Sequence, residues 1–249
     1  MKYVLLTILI VATAYSLPEK KIRIFMAGDS TMAIKETRAY PETGWGMPFV
    51  YFWDSSVTVV NRAKNGRSTK TFISEGLWAS ITAEATAGDY VFIQFGHNDE
   101  SVEKKERYAT PDTFKMNLRR FIADARSKQA IPVLFTPVSR RKFDKEGKAV
   151  ETHLQYSALV REVAEETKVA FIDLDEKSRS LYQKLGPEHS KLLFLQLKPG
   201  EHPNYPDGRD DNTHFTELGA RLIAQMVLQE LKTTTPELYN RIRKPVIKQ

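Results

Sequence analysis

The chain has 249 residues, 41% hydrophobic and 10% aromatic, which is enough for one sizeable core and near the upper end for a single one. Its net charge of +6 is spread along the chain, and no Lys/Arg cluster is interleaved with aromatics, which argues against nucleic acid as a partner. The absence of cysteine excludes a thiol nucleophile, a Cys-ligated zinc and a lipid-modified N-terminal Cys.

Residues 1–16 read as a secretory signal peptide. Met1-Lys2 is a short positive start, 3–11 is apolar, and Ala12-Thr13-Ala14-Tyr15-Ser16 offers small residues for cleavage. No stretch approaches the about 20 apolar residues of a membrane span. The expected product is therefore soluble, secreted or periplasmic, without membrane association after cleavage. Residues 17–249 are expected to form one domain.

Within it, 21–28 is an apolar run with β-branched members that stops at Gly28-Asp29-Ser30, a pattern predicting a buried strand that ends in a tight turn. Glu42 to Phe49 and the aromatic-rich Tyr51-Phe52-Trp53 read as a loop running into a short helix over the sheet. A second strand over 56–61 ends at Asn65-Gly66, a turn signal, and Ser68 is placed to cap a helix carrying Phe72, Ile73 and Leu77. A third strand over 89–95 runs directly into Gly96-His97-Asn98-Asp99-Glu100.

After a polar loop at 101–108, Thr110 as N-cap and Pro111 at the first position start a helix bearing Phe114, Leu118, Phe121, Ile122 and Ala125. A fourth strand over 131–135, a helix around Leu159 to Ala164, a fifth strand over 169–174 and a helix from about 177 to 185 follow. Residues 188–213 read as a polar, Pro-rich excursion leading into Asp210-Asp211-Asn212-Thr213-His214-Phe215. The last long helix carries Leu218, Leu222, Ile223, Met226, Val227 and Leu231, and 233–249 is expected to be a docking helix and a basic tail.

Five strand runs alternating with helices imply right-handed crossovers and a mainly parallel sheet covered on both faces. Ser30, Gly66 and Asn98 each follow the C-terminal end of a successive strand, so they share the sheet edge where α/β folds keep their active sites. Ester hydrolysis by serine needs a nucleophile, a base, a group to orient the base, and donors for the oxyanion. Ser30 supplies the first. Asp211-x-x-His214 supplies base and orienter from one segment, with Asp210 as an alternative orienter. The N–H groups of Ser30 and Gly66 and the amide of Asn98 are the candidate donors. Gly66 leaves the approach to its N–H clear of any side chain.

Gly28-Asp29-Ser30, Gly66, Gly96-x-Asn98-Asp99 and Asp211-x-x-His214, in that order, resemble the block pattern of the SGNH (GDSL-type) hydrolases over residues 22 to about 232. Ala27-Gly28-Asp29-Ser30-Thr31, Gly44-Trp45-Gly46, Gln94-Phe95-Gly96-His97-Asn98-Asp99, Thr136-Pro137-Val138-x-Arg140 and Asp211-x-x-His214-Phe215 are similar to the rhamnogalacturonan acetylesterase branch. Thr31 departs from the Leu of the lipase-like signature. The resemblance implies a three-layer α/β/α sandwich of flavodoxin-like type, no metal or other cofactor, and removal of acetyl groups from pectin backbone sugars.

Other members of the set stay open. Asp99 is expected to brace its loop, His97 to line or support the pocket, and Trp45, Arg140 and Tyr156 are candidate sugar contacts. His153, His189 and His202 have no metal-ligand spacing, and no His-Glu-x-x-His occurs. Other carbohydrate acetylesterases, acetylxylan esterase among them, and lysophospholipase- or thioesterase-type enzymes share the four blocks. The polar loops at 99–110 and 186–213 argue against a lipid-type acyl groove. A non-catalytic carbohydrate-binding protein is disfavoured because no member of the Ser-Gly-Asn-His set is missing, and a classical α/β-hydrolase because no Gly-x-Ser-x-Gly elbow occurs.

Overall fold

A computed structural model describes residues 21–244, so the signal peptide expected at 1–16 and the last five residues of the tail lie outside the described residues. Five strands, β1 (Ile22–Gly28), β2 (Val57–Asn61), β3 (Tyr90–Gln94), β4 (Ile131–Phe135) and β5 (Ala170–Ile172), form one parallel sheet in the order β2-β1-β3-β4-β5. β1 and β3 are buried along nearly their whole lengths, as strands covered on both sides must be.

The pleat divides their side chains between two apolar clusters. Ile24, Met26, Tyr90, Phe92, Val133 and Phe135 face one layer of helices: α1 (Gly46–Phe49), α6 (Leu174–His189), α7 (Glu217–Thr234) and α8 (Pro236–Tyr239). Phe25, Ala27, Val91, Ile93 and Leu134 face the other: α2 (Thr69–Ser74), α3 (Leu77–Glu84), α4 (Pro111–Ser127) and α5 (Leu154–Thr167). The result is a three-layer α/β/α sandwich. Each large side chain so buried contributes about 1.5–3 kcal/mol, and this burial holds the strand ends in place.

The local signals read from the sequence act as expected at several ends. Thr110 accepts from Thr113 N at the start of α4, and Ser68 and Thr71 form a reciprocal capping box on α2. Gly76, at φ +75°, separates α2 from α3, where the periodicity predicts one helix. Leu238 of α8 is fully buried, so the expected docking helix is present.

The excursion at 188–213 differs from expectation. It contains an antiparallel pair, β6 (Phe194–Leu197) and β7 (Arg209–Phe215). Phe194 pairs with Phe215 and Gln196 with Asp210, so the four residues 211–214 stand opposite Leu195 alone. They form an irregular bulge larger than the usual two residues against one. Among the described residues no helix is long and apolar enough to cross a membrane.

Candidate active site

The parallel register sets Gly28 opposite Gln94, so Ser30 and Asn98 leave the sheet at the same edge. The turn that carries Ser30 is tied down from within. Asp29, fully buried, accepts from Thr31 N at 2.9 Å and Thr31 Oγ1 at 2.8 Å, and its carbonyl takes the N–H groups of Met32 and Ala33. Gln94 Nε2 donates to Thr31 Oγ1 at 2.7 Å, while Gln94 Oε1 accepts from Trp45 Nε1 at 2.6 Å. A threonine stands at position 31 because a hydroxyl is needed there as both donor and acceptor.

This network corrects one expectation. Trp45 is not a sugar contact. It is fully buried, with its ring edge-on to Phe49 at 5.4 Å, and its indole N–H is spent on Gln94. Tyr156 is corrected likewise: only 4% exposed, on the wall of a separate depression, it packs against Phe114 and donates its hydroxyl to Ala109 O at 2.5 Å.

Ser30 Oγ lies 2.9 Å from His214 Nε2, and His214 Nδ1 lies 2.8 Å from Asp211 Oδ2. The bulge explains how a carboxylate three residues back reaches its own imidazole: Asp211 Oδ1 accepts the N–H groups of Thr213 and His214 at 2.8 and 2.9 Å. Burial alone would raise the Asp211 pKa, but the hydrogen bond and charge of His214 and these two N–H groups hold it well below the usual carboxylate range. Asp210 points elsewhere, its Oδ1 accepting from Gln196 Nε2 at 2.7 Å.

Beside Ser30, Gly66 adopts φ +75°, a left-handed conformation that favours glycine. Among the described residues, neither its N–H nor that of Ser30 donates to a protein acceptor. Asn98 Nδ2 donates to Arg67 O at 3.0 Å, which leaves its second N–H free. Ser30, Gly66, Asn98 and His214 line one cleft of about 410 Å³, together with His97, Arg140, Lys104 and Glu42. Such an array lets a hydroxyl pass its proton to an imidazole whose charge a carboxylate stabilises, with N–H donors facing the same space.

His97, 5% exposed, lies at the wall with its ring edge-on to His153 at 4.2 Å. Burial, then the neighbouring His153, Arg140 and His214, push its pKa well down, so it stays neutral. Both Glu100 oxygens lie 3.0 Å from His153 Nδ1, and Arg140 Nη1 donates to Glu100 Oε1 at 2.8 Å. Arg140 thus reaches the cleft but is anchored from behind. Asp99 braces its loop as expected: Oδ1 accepts from Thr69 N and Oγ1 at 2.9 and 2.6 Å.

Three charged residues around the site, Lys35, Glu42 and Arg107, carry no motif in the sequence. Lys35, buried, pairs with Glu42 at 2.7 Å and donates to Asn65 Oδ1 at 2.8 Å. Arg107 donates to Asn98 Oδ1 at 2.9 Å. A charged residue whose partners lie many positions away gives no periodic or spacing signal.

Residues 26–222 match the GDSL-like lipase/acylhydrolase family. The chain belongs to that family. It is similar to the rhamnogalacturonan acetylesterase RhgT of Bacillus subtilis (strain 168), with 42% identity over 86% of this chain and 91% of that one. It is also similar to the probable rhamnogalacturonan acetylesterase YesY of the same organism, with 36% identity over 84% of this chain and 92% of that one. Among solved structures, YxiM of Bacillus subtilis superposes with a TM-score of 0.73 at 28% identity, over 86% of this chain and 56% of that one. The acetylxylan esterase Axe2 of Geobacillus stearothermophilus shares the fold with a TM-score of 0.62 at 18% identity, over 85% and 94%. This GDSL-family chain is a carboxylic ester hydrolase with the SGNH fold.

Proposed function

We propose that the enzyme removes acetyl groups from a plant cell-wall polysaccharide, with rhamnogalacturonan of pectin as its substrate. Ser30 is the nucleophile, His214 the base and Asp211 the group that orients it. The Ser30 and Gly66 N–H groups and the Asn98 amide receive the oxyanion. Ser30 Oγ attacks the acetyl carbonyl as its proton passes to His214. The tetrahedral intermediate then expels the sugar hydroxyl, which takes that proton and leaves acetyl-Ser30. A water molecule, deprotonated by His214, then attacks the acyl carbon; the bond to Ser30 Oγ breaks, Oγ takes the proton back from His214, and acetate leaves.

The observation that carries this reading is the hydrogen-bonded run Ser30–His214–Asp211 opening onto two N–H groups with no protein acceptor. The acetyl-sugar assignment is supported by the 42% identity to RhgT, and the cleft's polar lining, with Glu42, Lys104 and Arg140, suits a sugar better than an acyl chain. The leader-like residues 1–16 support action outside the cytoplasm.

The test is acetate release from acetylated rhamnogalacturonan, acetylated xylan and nitrophenyl esters of increasing chain length. Ser30→Ala and His214→Ala are each expected to abolish nearly all turnover with the fold intact, and the double variant to lose no more than either, since the two act as a unit. Acetate should be the best acyl group. Preference for octanoyl over acetyl esters would replace this reading with a lipid esterase, and near-normal turnover by Ser30→Ala would remove the nucleophile.

A further inference from the structure

Building on the oxyanion assignment just made, we infer that Arg107 is a positioning residue, its guanidinium fixing the orientation of the Asn98 amide and the Gly66 turn. Arg107 sits in the loop that follows Asn98. Its N–H and that of Tyr108 both donate to Lys104 O, at 3.0 and 2.9 Å, and Ala109 N donates to Asp99 O at 3.1 Å. The loop thereby folds back on the strand end it left. This brings Arg107 Nη1 to Asn98 Oδ1 at 2.9 Å and to Gly66 O at 3.4 Å. The contact with the turn is close: a Cβ built on Gly66 would lie 3.2 Å from Nη1. Arg107 Nε faces Glu106 Oε1 at 3.6 Å, so Nη1 makes the hydrogen bonds that matter.

A primary amide can sit two ways round. With Oδ1 toward Arg107, Nδ2 meets Arg67 O at 3.0 Å and keeps its second N–H for the cleft. Rotated by half a turn, the NH2 group would face a guanidinium that has no acceptor, and Oδ1 would face the carbonyl of Arg67. Both contacts would be repulsive, and an oxygen would point where the oxyanion forms. Arg107 therefore selects the productive orientation. Its charge also polarises the amide it holds, strengthening the N–H at the far end. The same turn is held from its other side, where Lys35 Nζ donates to Asn65 Oδ1 at 2.8 Å and Arg67 Nη1 donates to Asn65 O at 2.8 Å.

The rival role for a cleft-lining arginine is a direct grip on a carboxylate of the substrate. The two are separated by measuring Arg107→Gln and Arg107→Lys on a neutral ester, nitrophenyl acetate, and on acetylated pectin, alone and combined with Asn98→Ala. Asn98→Ala itself should lower kcat by roughly 10²–10³, as removal of one oxyanion donor does. Arg107→Gln should lower kcat by about tenfold on both substrates with KM little changed, the loss of one charge-assisted hydrogen bond made behind the reacting group. Arg107→Lys, which keeps charge but not the fork, should recover part of it. In the Asn98→Ala background, Arg107→Gln should cost much less than it does alone.

A rise in KM confined to pectin, an unchanged kcat, or a full multiplicative loss in the double variant would overturn the positioning role while leaving the oxyanion assignment intact. An Asn98→Ala enzyme with normal kcat would overturn both. Should Arg107→Gln fail to fold, the Lys variant carries the same test, with full activity as the overturning result.

Discussion

Adjacent carboxylates, Asp210 and Asp211, end in opposite surroundings. Asp211 Oδ2 meets His214 Nδ1 at 2.8 Å and keeps its charge through the whole range in which histidines titrate, whereas Asp210 is bonded to Gln196 near solvent. Asp211→Asn should therefore lower kcat by roughly 10²–10⁴, because an amide stabilises the wrong tautomer of the imidazole and not its charge. Asp210→Asn should leave kcat near that of the unmodified enzyme, and equal losses in the two would move the orienting role. The three-residue spacing Asp211-x-x-His214 already favours Asp211 in the sequence; what the sequence leaves open is Asp210 as the alternative, which its bond to Gln196 decides against. The same limit explains Trp45 and Tyr156. An aromatic beside a motif reads alike whether it lines the cleft or, as here, braces it from the core.

At the scale of elements, the end of β3 is stapled to the start of α2 by Asp99, whose Oδ1 takes Thr69 N and Oγ1. Asn117 Nδ2 adds a third group by donating to the same Thr69 Oγ1 at 3.0 Å. Burial pushes the Asp99 carboxyl up to about 7, against the Thr69 hydrogen bonds, which lower it. Because its folded pKa lies above the ordinary value of 3.8, the folded state retains a proton that the unfolded chain has lost, and stability falls as pH rises between the two. Asp99→Asn keeps an acceptor for Thr69 and removes this titration. The stability of the variant relative to the natural protein should therefore climb from about pH 4 to about pH 7 and level off above it. Urea melts across that range test this, and a pH-independent difference would refute it.

The strands of the main sheet were legible as short apolar runs rich in β-branched and aromatic residues, bounded by polar, Gly or Pro positions. β7 was not. Its Asp210, Asp211 and Asn212 disfavour a strand, and pairing with β6 over a buried Phe194–Phe215 contact at 5.2 Å prevails over that preference.

At the scale of the molecule, the sequence carried the alternation of strands and helices, and with it the shared edge of Ser30, Gly66 and Asn98. It did not carry the order β2-β1-β3-β4-β5, which depends on which strands pair. The net charge of +6 and the cleft cations Lys104, Arg107 and Arg140 favour the approach of a polyanion such as pectin. Added salt should reduce kcat/KM on acetylated pectin more than on a neutral acetate ester, since ions screen only the charged encounter. Equal salt effects on the two substrates would deny any electrostatic steering.

The bulge at 211–214 has a mechanical consequence. Asp211 and His214 ride on one short piece of chain, cross-braced by the N–H groups of Thr213 and His214, while Ser30 stands in the turn at the end of β1. A tilt of the β6–β7 hairpin carries both passengers together. It leaves the Asp211–His214 distance alone and changes only the gap from His214 to Ser30. That gap depends on how the segment is seated, by Phe194 and Phe215 against the core and by Arg141, which donates to Asn212 O and Oδ1 within the bulge.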